Sequence, residues 1–273
     1  MMALQVRPLS GPPPADVPLP RSPLARVIAQ VRFAPILAIR SPDKVAVFQE
    51  IIRATYPILN QDRIQHIVIT PGGTPNLQEG LIWRFSDQAK QPRWRISLGV
   101  DFIALETSAY VSRRDFINRL QSVISGLEVA FKPGDVQRFG MRYINRMVDD
   151  AVAKVADLIR PKILGIAWLN DEPPSNLGES VTHLLTEAQL LAEEGQIQAR
   201  WGSIPKGSTY DPDALEALSE PSWVLDLDMF TQSQQAFVSD ELIATATSFA
   251  ERIYMVFREM VTDDFLRFYG GEL

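Results

Sequence analysis

The chain has no cysteine, only two histidines and no long uncharged apolar run, and each scarcity closes a class of function. Without cysteine there is no disulfide framework, no thiolate nucleophile and no cysteine-ligated zinc or iron–sulfur cluster. His66 in RIQHIVIT and His183 in VTHLLTEA stand far apart, and neither has a second histidine nearby. Metal-ligand spacing is therefore missing, and both read as structural or surface residues. No apolar stretch approaches the roughly 18 residues that suggest a membrane span. The first residues also lack a basic start followed by an apolar run, so a cytoplasmic protein with no membrane partner is expected. Phosphate-binding loops are missing too. PGGTPN (71–76) has no following Lys-Ser/Thr and reads as a hairpin loop. There is no G-x-S-x-G serine elbow either. No catalytic residue, cofactor site or metal site is assigned.

What is present is a 273-residue chain, 46% hydrophobic, with 27 basic and 33 acidic residues and a net charge of −6. That length fits one large domain or two small ones. The acidic total argues against generic nucleic-acid backbone binding by the whole molecule. The charge is unevenly spread, however. Up to residue 149 there are 19 basic and 12 acidic residues, and from 150 onward there are 8 and 21. A basic first half is thus joined to an acidic second half, and the two signs can satisfy each other or a partner. Residues 1–22 carry six prolines, which withhold ladder donors and favour polyproline II. They read as an extended or disordered tail, solvated or offered to a partner as a proline-rich ligand.

From residue 23 the periodicities alternate between two and 3.6. ARVIAQVRF (25–33) is a strand with Val27, Ala29, Val31 and Phe33 on one side and Arg26, Ile28, Gln30 and Arg32 on the other. Ser41-Pro42-Asp43 opens a helix with the stripe Val45, Phe48, Ile51, Ile52, ending near Tyr56-Pro57. Strands are expected at 63–70, 80–86, 93–99 and 102–110. Ser112 and Asp115 then stand in capping-box spacing before a helix with the stripe Phe116, Leu120, Val123, Ile124, Leu127, Phe131. RFGMRYI (138–144) starts what reads as a second copy. It continues with a short helix at 151–160, a weak strand at 163–169, strands at 181–191, 196–204 and 223–230, and a long helix at 240–268. AYVSRRDFI and AFVSDELIA match best between the copies. The expectation is an α+β protein with repeats at 23–134 and 135–273, forming either two abutting units or one continuous domain. A β-α-β4-α unit used twice resembles the TATA-binding-protein-like fold, an antiparallel sheet covered by helices on one face. Such a likeness does not fix function.

Three segments, PLARVIAQVRFAP (23–35), RFGMRYINRM (138–147) and LDLDMF (225–230) with the closing VFREMVTDDF (256–265), together resemble a sporadically distributed, functionally uncharacterised family of bacterial proteins. The resemblance spans nearly the whole chain after residue 22. It implies no activity, cofactor or catalytic residue. The patchy distribution of that family implies a mobile-element or defence context.

The most distinctive chemistry is a set of arginines opposite the aromatic side of the strands. Arg138, Arg142 and Arg146 share a face of RFGMRYINR, as do Arg26 and Arg32 in the first strand. Arg84 opposes Trp83 and Phe85, while Arg93 and Arg95 oppose Trp94 and Ile96. If helices cover the aromatics, these arginines line the other face, where their forks suit carboxylate or phosphate. Asp226 and Asp228 likewise share one face of WVLDLDMF. Three uses remain open: a surface for a protein partner; a nucleic-acid interface, for which the stacking aromatics lie on the wrong side; and a metal-dependent hydrolase or nuclease at the two aspartates. Against all three stands an internal salt-bridged face in which Arg138 and Arg142 meet Asp226, Asp228 or Glu187. The identity of the partner and the oligomeric state are not encoded in any motif.

Overall fold

The computed structural model describes residues 7–68, 76–168 and 180–273. The expected loop at 71–76 falls outside them except for Asn76, which opens a strand. The strands are β1 (Leu24–Phe33), β2 (Ile58–Val68), β3 (Asn76–Ser86), β4 (Trp94–Gly99), β5 (Phe102–Thr107), β6 (Asp135–Met147), β7 (Thr186–Ala192), β8 (Gly195–Ile204), β9 (Ser222–Thr231) and β10 (Gln235–Ala236). The helices are α1 (Pro42–Ile52), α2 (Arg113–Phe131), the single turns α3 (Asp150–Ala153), α4 (Val155–Leu158) and α5 (Pro161–Leu164), then α6 (Ser239–Met260) and α7 (Asp263–Phe268). Hydrogen-bonded neighbours run β2-β3-β4-β5-β1-β6-β9-β8-β7, with β10 on β6, in an antiparallel open sheet packed against helices. The α+β class is as expected. By internal contacts the chain divides into a first unit, Ile28–Gly140 with Thr231–Ala246, and a second unit made of the chain up to Val27, Met141–Phe230 and Thr247–Leu273.

In the first unit the period-two reading of β1 translates directly into burial: Val31 and Phe33 are enclosed while Arg32 is exposed. Trp83 and Phe85 of β3 and Trp94 and Ile96 of β4 turn the same way, into α1 and α2. Phe48 meets Phe85 edge-on at 5.4 Å, Phe116 lies 5.8 Å from Trp94, and the Trp83 indole donates to the Ile39 carbonyl. Each enclosed Phe contributes roughly 2–3 kcal/mol of apolar burial. The capping box forms as read, with Ser112 Oγ accepting from the Asp115 amide at 3.1 Å. Two details differ from the sequence reading. The first helix ends at Ile52, not near Tyr56, and Ile51 is 45% exposed. β2 begins at Ile58, five residues before the expected strand, because its register against β3 continues through Ile58↔Ser86.

After residue 150 four expectations are corrected. The helix at 151–160 is two separate turns, α3 and α4, and the described part of the expected strand at 163–169 is helical through Trp168. Pro161 supplies a first-turn proline that starts α5. The strand expected at 181–191 begins only at Thr186, so His183 sits in an exposed loop. The cause is Gly202 in β8, whose φ of +146° and missing Cβ let the Leu184 carbonyl lie where a Cβ would be, 1.8 Å away. The long helix expected at 240–268 breaks after Met260. Val261 pairs with Ile159 in a β-bridge, and Thr262 caps α7 by accepting from the Phe265 amide at 3.2 Å.

From residue 7 to the start of β1 the proline-rich segment forms no helix or ladder strand, and although most of it is exposed it is held at several points. Leu9 bridges Ala192 in parallel with the edge of β7. The Val17 amide donates to the Tyr254 hydroxyl at 2.9 Å, Arg252 donates to the Gly11 carbonyl, and the Arg21 amide donates to the Tyr269 carbonyl. Prolines deny this segment amide donors and leave its carbonyls free to accept from long side chains of α6.

Candidate functional site

The arginines divide between the two units, and their surroundings differ. In the second unit β6 and β9 place Arg142 and Asp226 side by side. Arg142 donates from Nε and Nη2 to the two Asp226 oxygens, both at 2.8 Å, in a bidentate fork. Its Nη1 donates to Asp211 at 2.7 Å. The Tyr210 hydroxyl donates to Asp226 Oδ2 at 3.0 Å, and Arg200 stands 3.6 Å from that oxygen. Asp226 is fully buried. Burial alone would lower the Arg142 pKa, but bonding to Asp226 and Asp211 outweighs it and holds the guanidinium more firmly protonated than usual. Burial and the Asp226 charge push the Tyr210 hydroxyl well up. Burial works against ionised Asp211, yet Arg142 prevails and draws its carboxyl below the ordinary range.

The Pro- and acid-rich loop 205–221 supplies the remaining partners. Asp211 binds Arg142, the Asp213 carbonyl accepts from Arg26 at 3.1 Å, and the Glu216 carbonyl accepts from Arg146 at 2.6 Å. Ala214 and Leu215 are buried and anchor it. Arg146, itself 8% exposed, also donates to Ser222 Oγ. The loop therefore acts as a strap across Arg26, Arg142 and Arg146. Glu187, an expected partner of Arg138 or Arg142, instead accepts from Arg200 at 2.9 Å. Asp228 is half-buried, opposite Gln198 in the ladder. Among the described residues no cluster of three or more acidic or histidine side chains is arranged to hold a metal ion. Asp226 presents its oxygens to two donors of Arg142 and to Tyr210, an environment that serves an ion pair.

In the first unit the arginines opposite the aromatics keep company with nearby acids and remain partly open. Arg84 donates to Asp62 at 3.0 Å and to Ser97 Oγ, and Arg95 pairs with Glu106 across β4 and β5. The Arg84 and Arg95 side chains are 25% and 35% exposed. Arg138 is half-buried and partnered. Arg32 and Arg93 are exposed and in no ion pair among the described residues. The eight arginines singled out from sequence thus fall into a strapped set (Arg26, Arg142, Arg146), a paired set (Arg84, Arg95, Arg138) and an open pair (Arg32, Arg93).

Sequence reasoning found Arg142 and Asp226 but missed Asp211 and Tyr210. The acidic density of 205–221 was the available signal. The side chain of His66 lies outside the described set, and no helix among the described residues is long and apolar enough to cross a membrane. No protein-family model matches this chain, and no curated protein matches it significantly.

Proposed function

We propose that this chain is a non-enzymatic binding or accessory protein that engages an acidic protein partner through the arginine-bearing face of its first unit. The observation that carries the reading is the contrast between the two arginine sets. Arg142 is saturated by internal carboxylates, whereas Arg32 and Arg93 are exposed with no acid paired to them among the described residues. The first unit holds 14 basic and 12 acidic residues, and the remainder of the chain holds 13 and 21. Exposed charges of this kind steer a partner and set its register. A nucleic-acid role for the same face is less well supported, since Trp83, Phe85 and Trp94 are buried and give no platform for bases. The strand order supports reading the chain as two TATA-binding-protein-like copies. β1 lies beside β5 and β6 beside β9, so each copy would return its last strand next to its first. The second copy would then have lost one strand. Membership of the sporadically distributed bacterial family, with its mobile-element or defence setting, stays a proposal resting on the three segments quoted above.

The test is affinity capture from the native host with the wild-type chain and with an Arg32→Glu/Arg93→Glu variant, alongside retention on DNA and RNA at low salt. A specific protein lost only in the variant supports the reading. Retention on nucleic acid, abolished by the same changes, would replace it with the nucleic-acid reading.

A further inference from the structure

A cleft of about 350 Å³ lies within the second unit, between the residues that lead into β1, the turn after β6 and the chain following α7. Arg21, Arg146, Asp149, Asp150, Phe268 and Tyr269 form much of its wall. That volume is at the small end of ligand pockets, about 300–1,000 Å³. Arg146 is the anomaly. Its side chain is nine-tenths buried, and no carboxylate pairs with it among the described residues. Nε is taken by Ser222 Oγ at 3.0 Å and Nη1 by the Glu216 carbonyl at 2.6 Å. Nη2 has no protein acceptor among the described residues, and it is not sealed from solvent. With two neutral acceptors and only the unbonded Glu216 charge nearby, the guanidinium leaves Nη2 able to take an anion from the cleft. Burial accordingly weakens its hold on the proton.

The opposite sign stands on the same wall. Asp149 and Asp150 are exposed, and neither carboxylate is in an ion pair among the described residues. Asp149 is held at φ 51°, ψ −129°, a backbone conformation that suits glycine and that L side chains rarely adopt. The protein thus keeps a carboxylate where a glycine would relax the chain. A phosphate dianion would face repulsion from both aspartates, whereas a ligand with both signs satisfies every charged group.

We propose that this cleft binds a free α-amino acid. Its carboxylate sits on Arg146 Nη2 with support from Arg21, its ammonium sits at Asp149 and Asp150, and its side chain lies toward Phe268 and Tyr269. The test is calorimetric titration of the full chain with each of the common L-amino acids, and with acetate, methylammonium and inorganic phosphate as single-sign probes. At least one amino acid should bind with a Kd at or below about 1 mM, at least tenfold tighter than any single-sign probe. Asp149→Gly should lower that affinity at least tenfold while the unliganded chain melts at the same or a higher temperature, because glycine accepts the backbone. Arg21→Ala, at an exposed position, should weaken binding with the melting temperature little changed. No amino-acid binding at about 10 mM, phosphate or acetate binding as tightly, or unchanged affinity in Asp149→Gly and Arg21→Ala would each overturn the proposal.

Discussion

Asp226→Asn is the most informative single change in this chain. The carboxylate is enclosed and accepts two 2.8 Å hydrogen bonds from Arg142 and one of 3.0 Å from Tyr210. An asparagine of the same shape offers one carbonyl oxygen and turns an NH2 group toward donors that have nowhere else to go. Removing one member of a buried pair costs about 3–5 kcal/mol, because the remaining charge stays buried without its partner. Asp211, 2.7 Å from Arg142 Nη1, retains part of the compensation, which places the expected loss near the lower end, about 3 kcal/mol. Against a total stability of roughly 5–15 kcal/mol and a urea slope of about 2 kcal/mol/M, the second unit should unfold about 1.5 M earlier. Urea denaturation followed by the fluorescence of Trp201 and Trp223 reads this unit, since both residues belong to it. The paired change Arg142→Met with Asp226→Leu removes both charges and should recover most of the loss, because well-packed apolar replacements of buried ion pairs are often neutral. If Asp226→Asn lies within about 0.5 kcal/mol of wild type, or if the double variant is worse than the single one, the buried-pair account is wrong.

Gly202→Ala should cost at least about 2–3 kcal/mol by the same assay, since its φ of +146° and the Leu184 carbonyl 1.8 Å from the new Cβ leave no unstrained arrangement; a change under 1 kcal/mol would show that the 184–185 backbone yields freely. The Asp211 carboxyl titrates below its ordinary value in the folded chain because Arg142 outweighs burial. A depressed folded pKa adds stability above the unfolded pKa, about 3.9, that is lost as pH falls through the folded value. Asp211→Asn should therefore lower stability at pH 7 and converge with wild type as the pH falls below the folded value; parallel stability curves from pH 7 through the acid range would contradict the assignment.

Much of the fold was legible because local rules and tertiary needs agreed. The alternation in Val27, Ala29, Val31 and Phe33 became a buried face, and Ser112 became a cap that bonds Asp115. The failures came where partners distant in sequence decide. Nothing near residue 184 shows that Gly202, eighteen residues on, clears space for its carbonyl. The break after Met260 depends on the bridge from Val261 to Ile159, although Thr262-Asp263-Asp264 carries a visible cap signature. The six prolines of residues 1–22 gave no hint that Arg252 and Tyr254 would hold the segment by its backbone groups. At the candidate site the shared face of the arginines was readable from the period of two. Which of them are neutralised was not, because the strap that covers Arg26, Arg142 and Arg146 comes from a loop about 70 to 190 residues away.

The central claim is that the open arginines of the first unit, and not the strapped set, meet a partner. Quantitative capture from host extract with wild type, Arg32→Glu/Arg93→Glu and Asp211→Asn, at matched thermal stability, tests it most directly. The account predicts one stoichiometric protein partner, retained by Asp211→Asn, lost in the Arg32/Arg93 variant and weakened by salt as exposed charge contacts are. A partner retained by the Arg32/Arg93 variant and lost from Asp211→Asn would contradict it.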